Sequence, residues 1–198
     1  MKRYGFVLIG LAALTGCQPS PSSEPPAPVA KKDETVAPPP PTDTKQPDST
    51  YKVMASSWKL TSDSVQEGQE VPETNKGDGA APTLHWTAVK EGTKSVAVIM
   101  DDPDAPGPEP YVHWLVSNVG PEGEASGWKN AVTGNNSRGE PKYYGPKPPS
   151  GTHHYHFKVY ALDTTLTLKQ GFTKSDLLSA MKGHVLDQTE LVAVSTAP

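Results

Sequence analysis

Cysteine is almost missing from this chain: Cys17 is the only one in 198 residues. A lone thiol excludes an internal disulfide framework and a cysteine-built metal cluster. Aromatic residues make up 7% and hydrophobic residues 34%, which is thin for a chain folded along its whole length. Positive charge has no surplus, since 18 Lys and Arg stand against 22 Asp and Glu, and the net charge of -4 excludes the basic footprint of a nucleic-acid binder. There is no Gly-x-Ser-x-Gly nucleophile elbow, no third ligand that would make a zinc site of the His154-x-His156 pair, and no internal repeat. No apolar run reaches the ~20 residues of a permanent membrane helix.

What is present divides into three parts. Met1-Lys2-Arg3 is a short positive segment, Phe6–Leu14 an apolar one, and Leu14-Thr15-Gly16-Cys17 resembles the bacterial lipobox. Residues 1–17 are therefore expected to be a lipoprotein signal peptide, with Cys17 lipidated and becoming the mature N-terminus. Acyl chains on Cys17 would hold the protein to a membrane, each buried CH₂ contributing about 0.8 kcal/mol. Gln18 follows where an acidic residue would signal inner-membrane retention, so the expected address is the outer membrane, on its periplasmic face. Residues 18–50 hold nearly half of the 22 prolines and almost no large apolar side chain. Such a segment cannot bury enough surface to offset its ordering entropy, and is expected to be a disordered tether reaching on the order of 100 Å.

From Tyr51 the pattern turns to short β runs between turn signals. Val53–Leu60 and Leu84–Trp86 are expected strands, with Val65–Thr83 mostly loop. Ser95–Asp101, Val112–Val119 and His153–Leu162 are the strongest strands, apolar enough to be covered on both faces. Lys174 to about Lys182 is the one helix, with Thr173 as N-cap, Asp176 completing a capping box, a Leu177, Leu178, Met181 stripe, and Gly183 ending it. Gln188–Ser195 is a last strand. Residues 51–198 should thus form an antiparallel Greek-key β-sandwich with one short C-terminal helix.

The chemistry gathers around Asp101-Asp102-Pro103-Asp104-Ala105-Pro106, where carboxylates meet two prolines that stiffen the turn. Period-2 alternation places Asp102 with Val96, Val98 and Met100, and Asp101 with Ala97 and Ile99. Asp102 and Asp104 are the candidate site acids; the alternative is that all three acids only accept hydrogen bonds from turn amides. Alternation also groups His113 with Tyr111, Leu115 and Ser117. On the third strong strand His153, Tyr155, Phe157, Val159 and Ala161 share an apolar face that leads to the pocket. His154, His156, Lys158, Tyr160 and Leu162 share the opposite, wetter face.

These segments are similar to a known family. Asp102-Pro103-Asp104-Ala105-Pro106, His113-Trp114, and Gly145-Pro146 followed by Pro148-Pro149-Ser150-Gly151-Thr152-His153-His154-Tyr155 resemble the phosphatidylethanolamine-binding proteins, nearest the bacterial Raf kinase inhibitor-like branch. Glu91–Ser95, Asn136–Gly139, Val159–Asp163 and Leu177–Leu186 add to the likeness, which spans nearly all of 55–195. The resemblance implies an antiparallel sandwich with a small anion pocket at one end. It carries the pocket onto Asp102, Asp104, His113, Gly145, Pro146, His153 and Tyr155. It also exposes departures: His154 stands where the family usually has Arg, Ala81-Pro82-Thr83-Leu84 replaces Ser-Pro-Pro-Leu, and Lys147 replaces a frequent Cys.

The expected function is binding: a lipid-anchored envelope protein taking a phosphate-bearing small molecule or phospholipid head group, with no cofactor and no metal. An alternative is regulation by protein contact, as in kinase- or protease-inhibiting relatives. Hydrolysis by the Asp/His pocket is the weaker alternative, because the sole Cys serves the anchor. The resemblance also leaves room for a homodimer.

Overall fold

All eight residues of Ser95–Asp102 are buried, as a strand apolar on both faces requires. The structure, a computed structural model, describes residues 58–87, 89–123 and 125–198. The expected signal peptide, Cys17, the 18–50 tether and residues 51–57 lie outside the described residues. Element order is β1 (Lys59–Ser62), β2 (Leu84–Thr87), β3 (Ser95–Asp102), β4 (Tyr111–Val119), β5 (Val132–Gly134), β6 (Thr152–Leu162), α1 (Lys174–Met181) and β7 (Val185–Thr196). β1 and β2 form a two-stranded sheet, and the other strands a five-stranded sheet in the order β5-β4-β3-β6-β7. All these pairings are antiparallel. No helix among the described residues is long and apolar enough to cross a membrane.

The central sheet carries apolar cores on both faces. On one, Val96, Val98, Met100, Trp114, Val116, Phe157 and Val159 meet Trp58, Leu60, Leu84 and Trp86 from β1, β2 and the residue before them. On the other, Ala97, Ile99, Leu115, Tyr160 and Leu162 meet Leu166, Phe172, Leu177 and Met181. The helix is the cover of that second face. Thr173 accepts from the Asp176 amide while Asp176 accepts from the Thr173 amide, the capping box expected from sequence. Gly183 follows with φ +82°, a conformation glycine adopts without a Cβ penalty.

Several expectations need correction. The first strand runs Lys59–Ser62 rather than ending at Leu60, and β7 begins at Val185. β5 was not expected at all. The opposite face of β6 is wet only at its start: Tyr160 and Leu162 are buried under α1. The largest departure is in β4, which fits more residues than β3 at two places. Val98 opposes Val116 while Val96 opposes Val119, with Asn118 nearby at φ +59°. The Asn118 side chain donates to the Leu166 carbonyl at 2.9 Å and accepts from the Leu166 amide at 2.8 Å, which fixes that bulge. Further along, Met100 opposes Trp114 while Asp101 opposes Val112, so His113 is the extra residue.

Candidate functional site

A bulge re-aims a side chain, and here it re-aims His113. Strict alternation would place His113 beside Leu115, in the core under α1. Instead its ring lies 5.2 Å from that of Tyr155 and 4.9 Å from that of Tyr111, on the opposite side of the sheet. The grouping of His113 and Tyr111 with Leu115 and Ser117 is therefore wrong, because the extra residue breaks the period of two. Tyr144 holds His113 in place. The Tyr144 carbonyl is 2.6 Å from His113 Nδ1, the Tyr144 amide donates to the His113 carbonyl at 3.0 Å, and the two rings stack at 6.2 Å and 6°.

A carbonyl can only accept, so His113 Nδ1 carries the proton and Nε2 keeps a lone pair. Burial pushes the imidazole below its ordinary value, outweighing the Tyr144 carbonyl and the charges of Asp102 and Asp101, which act the other way. The histidine is thus neutral at physiological pH, with Nε2 outside this hydrogen bond.

Asp102 ends β3 and is almost wholly buried. Its Oδ1 accepts the amides of Asp104 and Ala105 at 2.8 and 3.0 Å, and its Oδ2 lies 2.7 Å from His153 Nδ1. One oxygen shapes the turn, and the other fixes the tautomer of His153. Tyr155, two residues along β6, is buried beside the Asp102 carboxylate and the Lys147 amide. Burial first, and the Asp102 charge second, push that phenol up, so it stays protonated and can donate.

Asp104, two residues on from Asp102 in the turn, is exposed. Its Oδ2 accepts the His154 amide at 2.8 Å and lies 2.7 Å from His154 Nδ1. Burial opposes its ionisation, but these donors prevail and hold the carboxyl below the usual range. His154 therefore braces the acid through ring and backbone together.

The third segment approaches through Gly145 and Pro146. The Gly145 amide donates to the Gly77 carbonyl at 2.7 Å and the Gly77 amide to the Pro146 carbonyl at 3.2 Å. A Cβ at Gly145 would come within 2.0 Å of the Asn75 carbonyl oxygen, so only glycine permits this approach. Tyr143, buried edge-on to Trp114, donates to the same Asn75 carbonyl at 2.7 Å. The loop is thereby pinned to residues 75–77, and Tyr144 is delivered to His113.

The fold brings Asp102, His113, His153 and Tyr155 together, places Gly145 and Pro146 in the loop that delivers Tyr144, and leaves Asp104 exposed beside them. Asp101 belongs to the other face: fully buried, it accepts Lys158 Nζ at 2.9 and 3.2 Å and Lys174 Nζ at 2.8 Å, tying α1 to the sheet. Sequence reasoning missed Tyr144 and Arg138, whose guanidinium lies 4.3 Å from the Tyr144 ring centroid. The only signal for Tyr144 was its place immediately before Gly145-Pro146. Among the described residues no His/Cys/Asp/Glu group is arranged to hold a metal ion.

Comparison with known proteins gives a consistent result. Residues 61–196 match the family described as phosphatidylethanolamine-binding protein. A UPF0098 protein of Methanothermobacter thermautotrophicus is 40% identical over 132 residues, covering 61% of this chain and 85% of the relative. A UPF0098 protein of Chlamydia muridarum is 38% identical over 143 residues, covering 68% and 95%. Among solved structures, a putative phosphatidylethanolamine-binding protein homologue from Chlamydia trachomatis superposes with a TM-score of 0.65 at 34% identity, covering 71% of this chain and 98% of the other. E. coli YbcL, described as a new member of the mammalian family, gives 0.64 at 28% identity, covering 72% and 100%.

Proposed function

The chain belongs to the phosphatidylethanolamine-binding protein family, and on that premise we propose that it is a lipid-anchored envelope protein whose pocket binds a phosphate-bearing head group or a similar small anion. The observation that supports this most is the treatment of the two imidazoles. His113 gives Nδ1 to the Tyr144 carbonyl and His153 gives Nδ1 to Asp102, so each keeps Nε2 for a ligand. The Tyr155 hydroxyl, kept protonated beside them, supplies a neutral donor. An anion entering such a site draws a proton onto His113, and a charge-assisted hydrogen bond forms at Nε2.

The reading favours binding over turnover, since the sequence offers no Gly-x-Ser-x-Gly elbow and its sole cysteine is assigned to the anchor. Its placement in the cell follows from sequence: Cys17 as the lipidated residue, 18–50 as the tether, and Gln18 favouring the outer membrane on its periplasmic face. Membership of the Raf kinase inhibitor-like branch rests on the motifs around Asp102, His113 and His153. The strand order β6-β3-β4-β5, in which β6 returns by a long connection to lie beside β3, supports the Greek-key sandwich.

The test follows the histidine side-chain resonances of the full chain while inorganic phosphate is added. Saturable shifts at His113 and His153, with His85, His156 and His184 unmoved, are the expected result. Equal, non-saturating movement of all six histidines would refute the pocket.

A further inference from the structure

We propose that Arg138 is a positioning residue for the anion site: stacked on Tyr144, it clamps the ring that backs His113 and so fixes where the imidazole meets a ligand. This inference rests on the pocket reading above, though its first test does not need a ligand to bind.

Three planar groups lie in succession, with the Arg138 guanidinium 4.3 Å from the Tyr144 ring centroid and the His113 ring parallel to Tyr144 at 6.2 Å. Tyr144 is half-buried and Arg138 is the outermost layer. Arg138 is also within electrostatic reach of Tyr111, the other ring against His113.

The ring holds Arg138 there together with two loose ion pairs. Its contacts to Asp78 and Glu140 are 3.7 and 3.5 Å, long for hydrogen bonds; the one to Asp78 is exposed to water, while the Glu140 Oε2 that faces Arg138 is buried. Lys142 competes for the same two carboxylates at 3.4 and 3.6 Å. The backbone beneath Arg138 is rigid by contrast. Asn136, buried, accepts the amides of Arg138 and Glu140 at 2.9 and 3.1 Å and donates to the Lys142 carbonyl at 3.1 Å. Ser137 pairs with Val112 in both directions, through its amide to the Val112 carbonyl and its Oγ from the Val112 amide. Val112 directly precedes the bulged His113. The turn that carries Arg138 is thus built onto the same point of β4 that aims the histidine, and the side chain closes the stack from outside.

Arginine suits this place because its planar cation lies flat on a phenol, whereas a lysine presents a compact charge on a flexible stem. Without Arg138 the outer face of Tyr144 is open to water, the ring is free to swing out, and His113 loses its parallel wall. The hydrogen bond to the Tyr144 carbonyl, a backbone contact, would survive. The loss would therefore be one of placement, not of fold.

The experiment is a pH titration of the His113 side-chain resonances in the full chain, with phosphate affinity measured alongside. Arg138→Ala is expected to raise the His113 midpoint by about half a pH unit and to weaken phosphate about two- to fivefold. The charges that His113 senses are Asp102 and Asp101 from β3 and His153 from β6, and none of them is altered. Arg138→Lys, which keeps the charge but not the flat stack, should behave closer to Ala than to Arg. In a Tyr144→Ala background Arg138→Ala should change neither reading, because the ring it acts through is gone. An unchanged His113 midpoint in a folded Arg138→Ala protein overturns the proposal. So does an effect that persists undiminished without the Tyr144 ring, which would mark it as charge acting through space. Absence of phosphate binding by the wild type would refute the pocket reading instead, while the His113 midpoint would still decide the role of Arg138.

Discussion

Replacing Asp101 by Asn takes the charge from a carboxylate that is fully buried between Lys158 and Lys174. Nζ of Lys158 and Nζ of Lys174 sit 2.9 and 2.8 Å from its oxygens, and their side chains are only 14% and 18% exposed. Breaking a buried pair by removing one partner costs about 3–5 kcal/mol, because the remaining charge is left uncompensated. The partial exposure of both lysines lets their ammonium groups turn toward water, which puts the expected loss near the lower end, about 3 kcal/mol. For a domain of this size that lowers the melting midpoint by roughly 6–12 °C. Burial opposes ionisation of Asp101, but the two ammonium groups outweigh it and hold the carboxyl below its ordinary value. A folded value below the unfolded one means the stabilisation is present in full above the unfolded value and is lost as pH falls through the folded one. Wild type and Asp101→Asn should therefore differ most near neutral pH and converge in acid. Urea unfolding followed by tryptophan fluorescence at both pH values reads this directly. A loss below about 0.5 kcal/mol at neutral pH, or a loss that is unchanged in acid, would refute the reasoning. A triple replacement, Asp101→Leu with Lys158→Met and Lys174→Met, should recover most of the stability, since apolar side chains can replace a buried charge cluster without penalty.

Other expectations are more local. Gly145→Ala forces the loop away from the Asn75 carbonyl, costing about 1–3 kcal/mol and weakening phosphate binding, as calorimetry and thermal unfolding would show. Because burial keeps His113 neutral until an anion arrives, binding should take up a proton and weaken as pH rises through the value of the bound imidazole. Titration in buffers of different ionisation enthalpy measures that uptake. His154→Ala should lower stability by no more than about 1 kcal/mol, since its ion pair with Asp104 is exposed and the backbone bond to Asp104 remains.

Much of this was legible in the residues, and the rest was hidden for physical reasons. The three central strands announce themselves by apolarity, and α1 by Thr173 and Asp176 three positions apart. Asp102 and His153 could be placed because β3 and β6 keep their alternation up to the site. His113 could be chosen but not aimed, since a bulge depends on how β4 registers against β3, and no pattern within Tyr111–Val119 marks it. β5 is too short, at Val132-Thr133-Gly134, to stand out from the loop around it. Alternation groups Asp101 with Ala97 and Ile99, on whose side of the sheet it lies, but its role is set by lysines 57 and 73 residues away, which no local pattern shows. Tyr144, and Arg138 within its Asn136–Gly139 motif, were not chosen as site residues because their stacking runs across loops, which leaves no periodic trace.

The central claim, that Asp102 and His113 build a phosphoanion pocket, is tested most directly by calorimetric titration of inorganic phosphate and phosphorylethanolamine into the full chain, beside Asp102→Ala and His113→Ala. Saturable binding by the wild type that is lost in both variants is the predicted result. A folded wild type that takes up neither ligand, or variants that bind as well as it does, would contradict the account.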